Sequence, residues 1–299
     1  MSLVRYTDAG GDSIRFLQVD GVDYPYVEGV DQERNIRAAR DALGRDDDIL
    51  LVAYFKSGTH WLWEVLSMLI AGNADTVQGI KQYNMLEAVT HERLASMPSP
   101  RVLNTHAFFD DLPKDMINRK CKIVLLVRNP KDIAVSGYNH HYGLTGSYDY
   151  HGKWENYLPL FLEGKVESGR WFNYVKHYEK VKADHPGLPI HTVFYEDMKE
   201  DSRREVRKLA EFLELPLSVT LCDDIADKCT FQNMKKDKKG LESEFFLKIW
   251  RDRKPGFYRK GEVGDWKNWF TVAQNEMFDD LYQREMDGCI LKDKVRFQI

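Results

Sequence analysis

Cysteine is scarce in this chain of 299 residues. Its four copies, Cys121, Cys222, Cys229 and Cys289, show no C-x-x-C or metal-ligand spacing. That argues against a disulfide framework and reads as reduced thiols in an intracellular protein. No apolar stretch approaches the ~18 residues a membrane span needs, and the opening M-S-L-V-R-Y-T-D-A-G-G-D-S lacks the apolar centre of a signal peptide. A soluble, cytoplasmic protein is expected, with no membrane partner. No Pro-, Gly- or Ser-rich linker, internal repeat or low-complexity tract divides the chain, so residues 1–299 read as a single domain. An excess of positive charge is missing too. The formal net charge of -4 argues against general affinity for nucleic acid, so any anion site must be local. The neighbouring His140 and His141 would point about 100° apart on a helix, and no third ligand has matching spacing, so no metal site is expected.

What is present is organised around Asp48 to Gly72. Ile49 to Phe55 is an apolar run of the kind that fills a parallel sheet, and from Trp61 onward apolar residues recur at helical spacing. The stretch reads strand, tight turn, helix. The turn, K-S-G-T at Lys56 to Thr59, would place the amides of Ser57, Gly58 and Thr59 at a helix N-terminus, where unpaired donors and the dipole attract an anion. A capped turn with a surface lysine would use the same Ser and Thr. The glycine-rich G-x-x-x-x-G-K-[ST] loop is absent, which points to one phosphate or phosphosulfate rather than a triphosphate.

Three further strands follow the same logic. Arg101 to His106 ends on His106, Lys122 to Arg128 ends on Arg128, and Ile190 onward runs into Tyr195. Parallel strands deliver their C-terminal ends to one edge, where open α/β sheets bind ligands. His106 there is either a reacting group or a satisfied structural histidine. Arg128, with Ser136 on the following helix, needs either a bound anion or a carboxylate such as Asp132. Arg259, Lys260 and Gly261 offer two charges and a close-approaching backbone for a second phosphate. Phe231 and Met234 either face a purine or dock a helix. Before the first strand, Gly21 to Tyr26 reads as a loop whose Tyr24 could line a ligand mouth, and Asp31 to Leu43 as a helix. A second helical stretch is expected near Gln82 to Met97.

The motifs resemble those of the cytosolic sulfotransferases, from about Leu51 to Glu276. Y-F-K-S-G-T-H-W resembles the family's 5'-phosphosulfate loop Y-P-K-S-G-T-T-W, with Phe55 for proline and His60 for threonine. R-N-P-K-D-I-A-V-S and R-K-G-E-V-G-D-W-K-N-W-F-T match two further signatures of the family. The resemblance implies an α/β fold with a central parallel β-sheet of four or five strands flanked by helices, P-loop-kinase-like in topology. It implies transfer of a sulfuryl group from 3'-phosphoadenosine 5'-phosphosulfate (PAPS) to a hydroxyl or amine of a phenol, alcohol, amine or steroid, leaving PAP. His106 takes the place of the catalytic base and Lys56 that of the lysine beside the departing oxygen.

Nucleotide contacts carried over are Lys56, Ser57, Gly58, Thr59, His60, Trp61, Arg128, Ser136, Tyr195, Cys229, Thr230, Phe231, Met234, Arg259, Lys260 and Gly261. Substrate contacts are Asn104, His106, Tyr24 and His140. The family's K-T-H stands here as N-T-H, so Asn104 is expected to remove one positive charge from the transfer site. The stretch from Lys235 to Gly256 implies a charged loop and lid, and Lys267 to Glu276 fits the family's K-x-x-x-T-V-x-x-x-E homodimer pattern. A PAPS- or PAP-binding protein of the same fold without turnover remains the alternative.

Overall fold

The structure is a computed structural model that describes residues 2–239, 244–254 and 256–299. It opens with three antiparallel strands, β1 (Ser2–Thr7), β2 (Ser13–Val19) and β3 (Val22–Tyr24), followed by helix α1 (Gln32–Arg40). The small sheet was not expected, and the loop expected at Gly21 to Tyr26 is largely its third strand. The signal for it is Asp20-Gly21, which joins Val19 to its partner Val22 with both central residues at positive φ. Such a two-residue turn matches the twist of a hairpin.

The second sheet is parallel, in the order β5-β4-β6-β7: β4 is Ile49–Ala53, β5 Val102–Thr105, β6 Lys122–Val127 and β7 Ile190–Phe194. Its strands carry apolar residues on both faces because both faces are covered. Leu50, Val52, Leu103, Ile123 and Leu125 join one apolar cluster, with helices Trp154–Glu163 and Trp171–Asp184. The alternate positions Ile49, Leu51, Ala53, Val124 and Leu126 join another, with α2 (Thr59–Ala71). The chain leaves β4 toward β5 and then returns past it to β6, so the connections diverge at the C-terminal end of β4. Lys56, His106 and Arg128 follow β4, β5 and β6 and meet at that edge.

At the opposite end of β4, Asp48 and Arg101 form an ion pair whose side chains are almost completely buried. Arg101 also donates to the carbonyls of Leu94 and Leu43, at 2.9 and 3.0 Å, so its fork is fully engaged. This saturation is what allows a buried charge pair to persist.

The helix expected over Gln82 to Met97 is only partly present. Lys81–Asn84 is a single 3₁₀ turn and His91–Ser96 a short helix. Between them the backbone runs alongside the sheet edge, where Met85 bridges Asn104 and the Leu86 amide donates to the Asn104 carbonyl at 2.9 Å. Edge pairing outcompetes helical propensity there. Among the described residues no helix is long and apolar enough to cross a membrane.

Candidate active site

The β4–α2 turn carries the first part of the site. Lys56 and Gly58 both take positive φ, +60 and +109, and a Cβ on Gly58 would stand 2.7 Å from the Tyr195 ring. Glycine is therefore required twice over, by backbone and by close approach. The Trp61 amide already donates to the Gly58 carbonyl at 3.0 Å, so the amides of Thr59 and His60 are the first-turn donors of α2 directed out of the helix end. Ser57 differs from the expectation. It is fully buried beneath the turn and its amide is held by the Tyr54 carbonyl at 3.3 Å.

Above this turn lies a cavity of about 420 Å³, lined among others by Lys56, Gly58, Thr59, His60, Trp61 and His106. Burial lowers the Lys56 ammonium from its ordinary value to about 7. Glu167 opposes that shift, and the nearby charges of Lys81, Arg128 and Arg259 reinforce it. A lysine so placed regains its charge when an anion arrives.

His106 is oriented through its ring. Nδ1 lies 2.8 Å from the Ala53 carbonyl, which can only accept, so Nδ1 carries the proton and Nε2 keeps its lone pair. Burial and then the charge of Lys81 push the imidazole down to about 3. It is neutral throughout the physiological range and able to accept a proton. Its backbone is held by Glu87, which accepts from the His106 amide at 2.9 Å and from the Thr105 hydroxyl. Glu87 has no sequence signal of its own; the strand edge brings it there.

At the other end of the cavity, the Arg128 guanidinium lies 4.1 Å over the Tyr195 ring and donates to the carbonyls of Lys56 and Glu262, both at 3.2 Å. Asp132 is 4.0 Å away and is occupied by the amides of Gly264 (2.8 Å) and Trp266 (3.0 Å). The carboxylate alternative for Arg128 is thus weak. Ser136 lies in the same wall. Arg259 and Lys260 both pair with Asp265, at 2.6 and 2.5 Å. Burial works against the Asp265 carboxylate, but Lys260, Asn268 and Arg259 hold it at about 2. Gly261 has φ +69, and a Cβ there would sit 2.2 Å from Phe231, so its backbone lies against that ring. Phe231 and Met234 reach the cavity from helix Phe231–Asp237.

Several expected residues stand elsewhere. Cys229 is buried in the apolar core with its sulfur 3.6 Å from that of Met68, and burial pushes its thiol well up. Thr230 is exposed at the start of the Phe231 helix. Asn104 is fully buried behind the cavity wall, with its amide oxygen and nitrogen bound to Lys81. Its place on the wall is taken by Lys81, which the sequence did not single out.

His140 does line the cavity, packed near Tyr148, Trp250 and Phe257. His141 turns away and bonds Glu167 at 2.6 Å and the Tyr157 hydroxyl at 2.9 Å. Among the described residues no group of three His, Cys, Asp or Glu is placed to hold a metal. Tyr24 lines the cavity from β3. Of the expected loop and lid, Lys235–Asp237 is helical and Lys238 is buried against Glu64 at 2.7 Å. Residues 240–243 and Pro255 lie outside the described residues.

The Sulfotransferase domain family model matches residues 46–290. The chain belongs to the sulfotransferase family. Sulfotransferase 1B1 of Canis lupus familiaris is 40% identical to it over 261 residues, covering 83% of this chain and 86% of that one. Sulfotransferase 1A1 of Mus musculus is 35% identical over 253 residues, covering 81% and 86%. The fold is also similar to the crystal structure of mouse sulfotransferase SULT7A1 complexed with PAP, with a TM-score of 0.76, 31% identity, and coverage of 93% and 96%. For a sulfotransferase, the arrangement here supplies a cation-rich cavity, a neutral imidazole with a fixed tautomer, and an aromatic wall.

If Arg259 serves the 3'-phosphate alone, as the sequence resemblance implies, its removal predicts an asymmetric loss. Arg259→Ala should weaken PAP far more than adenosine 5'-phosphate, by roughly tenfold or more, since a hydrogen bond to a charged group is worth about 1.5–3 kcal/mol. Calorimetric titration of both ligands checks this, and equal losses would refute the assignment.

Proposed function

We propose that this chain transfers a sulfuryl group from PAPS to a hydroxyl or amine of a small-molecule acceptor, with His106 as general base. The observation that carries the reading is the Ala53 carbonyl on His106 Nδ1, which leaves the Nε2 lone pair free in the cavity that Lys56 also lines. His106 takes the acceptor proton as the acceptor oxygen or nitrogen bonds to sulfur. The bond from sulfur to the 5'-phosphate oxygen breaks, and Lys56 stabilises the charge gathering on that oxygen. The residues fit a nucleotide with two anionic ends. Trp61 Nε1 and Arg128 Nε, on residues that line the cavity, are buried without a hydrogen-bond partner among the described residues, a polar surplus suited to a ligand rich in oxygens. Arg128, Ser136, Arg259 and Lys260 serve the 3'-phosphate and the first turn of α2 the 5' end. Phe231 and Tyr195 serve the adenine side.

The test is an acceptor screen with labelled sulfuryl donor across phenols, alcohols, amines and steroids. Transfer to at least one acceptor is expected. Tight PAP binding with transfer to none would favour a binding protein without turnover. The protein acts as a soluble, cytoplasmic enzyme in this reading.

Homodimerisation through Lys267 to Glu276 belongs to the same reading. Thr271 caps the helix Val272–Glu285 with a reciprocal capping box, and Val272 at its start is 76% exposed. An isologous contact would bring the two copies of this segment together. Val272→Glu is expected to give monomers in sedimentation from a dimeric parent. A monomeric parent would end the proposal.

A further inference from the structure

Lys81 lines the cavity as a buried side chain, and no carboxylate among the described residues forms an ion pair with it. It is 4% exposed, and its Nζ donates to Asn104 Oδ1 at 3.1 Å, with Met85 Sδ the next contact at 3.9 Å. The described residues give it no ion pair. Among the described residues Lys131 and Lys238, as little exposed as Lys81, do have carboxylates, Asp279 at 2.5 Å and Glu64 at 2.7 Å. Glu87, the carboxylate that acts on Lys81 through space, is committed to Thr105 and the His106 amide. Taking a charge out of water without a counter-charge is costly, so a lysine that persists in this state is matched to an anion that visits. Asn104, which holds the Lys81 ammonium, stands two residues before His106, and the neighbouring Gln82 bonds the His60 ring at 3.1 Å, which sets Lys81 beside His106 and His60.

We propose that Lys81 is a catalytic residue that contacts the sulfuryl oxygens during transfer, and that Asn104 is the neutral hook that holds it there. The inference rests on the sulfotransferase reading above. Asn104 suits the role because both halves of its amide are used: Oδ1 accepts from Lys81 Nζ, while Nδ2 donates to the Lys81 carbonyl at 2.9 Å. A carboxylate at position 104 would neutralise the ammonium, whereas an amide orients it and leaves its charge for the substrate. The loss of charge expected from asparagine at this position is thereby made good from the 3₁₀ turn Lys81–Asn84, which the Met85–Asn104 bridge pins against β5. With Lys56 on the leaving oxygen and Lys81 on the sulfuryl oxygens, the charge of the transition state is met at both places where it accumulates.

The test compares wild type, Lys81→Met and the exchange variant Lys81→Met/Asn104→Lys, all on the full chain. Lys81→Met should lower single-turnover transfer on the order of 10²-fold, as for loss of one preorganised donor. It should weaken PAPS about tenfold, as for one charge-assisted contact, and leave PAP, which has no sulfuryl group, within about threefold. The exchange variant, which returns an ammonium from the strand side, should regain at least tenfold of the lost rate. Wild-type transfer by Lys81→Met overturns the proposal. Equal loss of PAPS and PAP with no recovery in the exchange variant also overturns it, because that is the behaviour of a structural lysine. Should Lys81→Met fail to fold, Lys81→Gln, whose amide can still donate to Asn104 without carrying a charge, takes its place and is judged by the same outcomes. If wild type transfers to no acceptor, the proposed function fails first, and the difference between PAPS and PAP affinities still judges Lys81 separately.

Discussion

Replacing His106 with alanine is expected to abolish most turnover, on the order of 10²–10⁴-fold for a positioned base, while PAP affinity stays nearly unchanged. The separation follows from geometry. His106 lies at the end of β5 with its ring turned to the Ala53 carbonyl, whereas the cations assigned to the phosphates come from the β4–α2 turn, Arg128 and the segment around Arg259. Single-turnover transfer measured beside nucleotide titration checks the result. If the variant transfers at the wild-type rate, His106 is not the base. Because burial and Lys81 hold its imidazole near 3, the acid limb of kcat/KM should lie well below the ordinary histidine range.

Lys56→Met should damage both turnover and nucleotide binding, since the proposed mechanism gives the same ammonium to the leaving oxygen and the phosphosulfate. A loss in kcat of about 10²–10³-fold is the scale for a preorganised electrostatic contact. The binding effect has a pH signature. With its value lowered to about 7 by burial, the empty site is largely without this charge at pH 8. Anion binding restores it, so PAP should take up protons on binding at that pH. Affinity is full below pH 7 and declines as pH rises through 7, the direction required when the bound value exceeds the free one. Calorimetry in buffers of different ionisation enthalpy reads the uptake directly. Lys56→Met should remove most of it. Unchanged uptake in the variant would place the titrating group elsewhere.

Much of the sheet and of the nucleotide end was legible because each rests on short-range pattern. Ile49 to Ala53 announces a doubly covered strand, and the turn after it must open a helix whose amides face outward. Arg128 and Arg259 were readable as charges awaiting an anion, and both line the cavity. The N-terminal sheet was missed although Asp20-Gly21 is a hairpin signal, because the flanking strand β1 is exposed and its alternation is faint. Cys229 and Thr230 were misplaced by carrying a motif over whole; the helix that starts at Phe231 directs only Phe231 and Met234 inward. Lys81 could not be found from pattern at all. Its position depends on pairing between residues far apart in sequence, Met85 with Asn104, and no local periodicity encodes an edge contact of that kind.

The hydrogen bond from His106 to Ala53 has one more effect. Ala53 is the last residue of the strand that leads into the Lys56 turn, and the Lys56 carbonyl in turn receives Arg128. The imidazole is therefore fastened to the same few backbone atoms that position the donor. With the roles proposed above, a displacement of the tip of β4 would carry the base and the donor loop together. What survives is the distance between them. An enzyme whose reacting groups were anchored on independent loops would add their fluctuations, whereas here they subtract, and alignment is kept without requiring the whole sheet edge to be rigid.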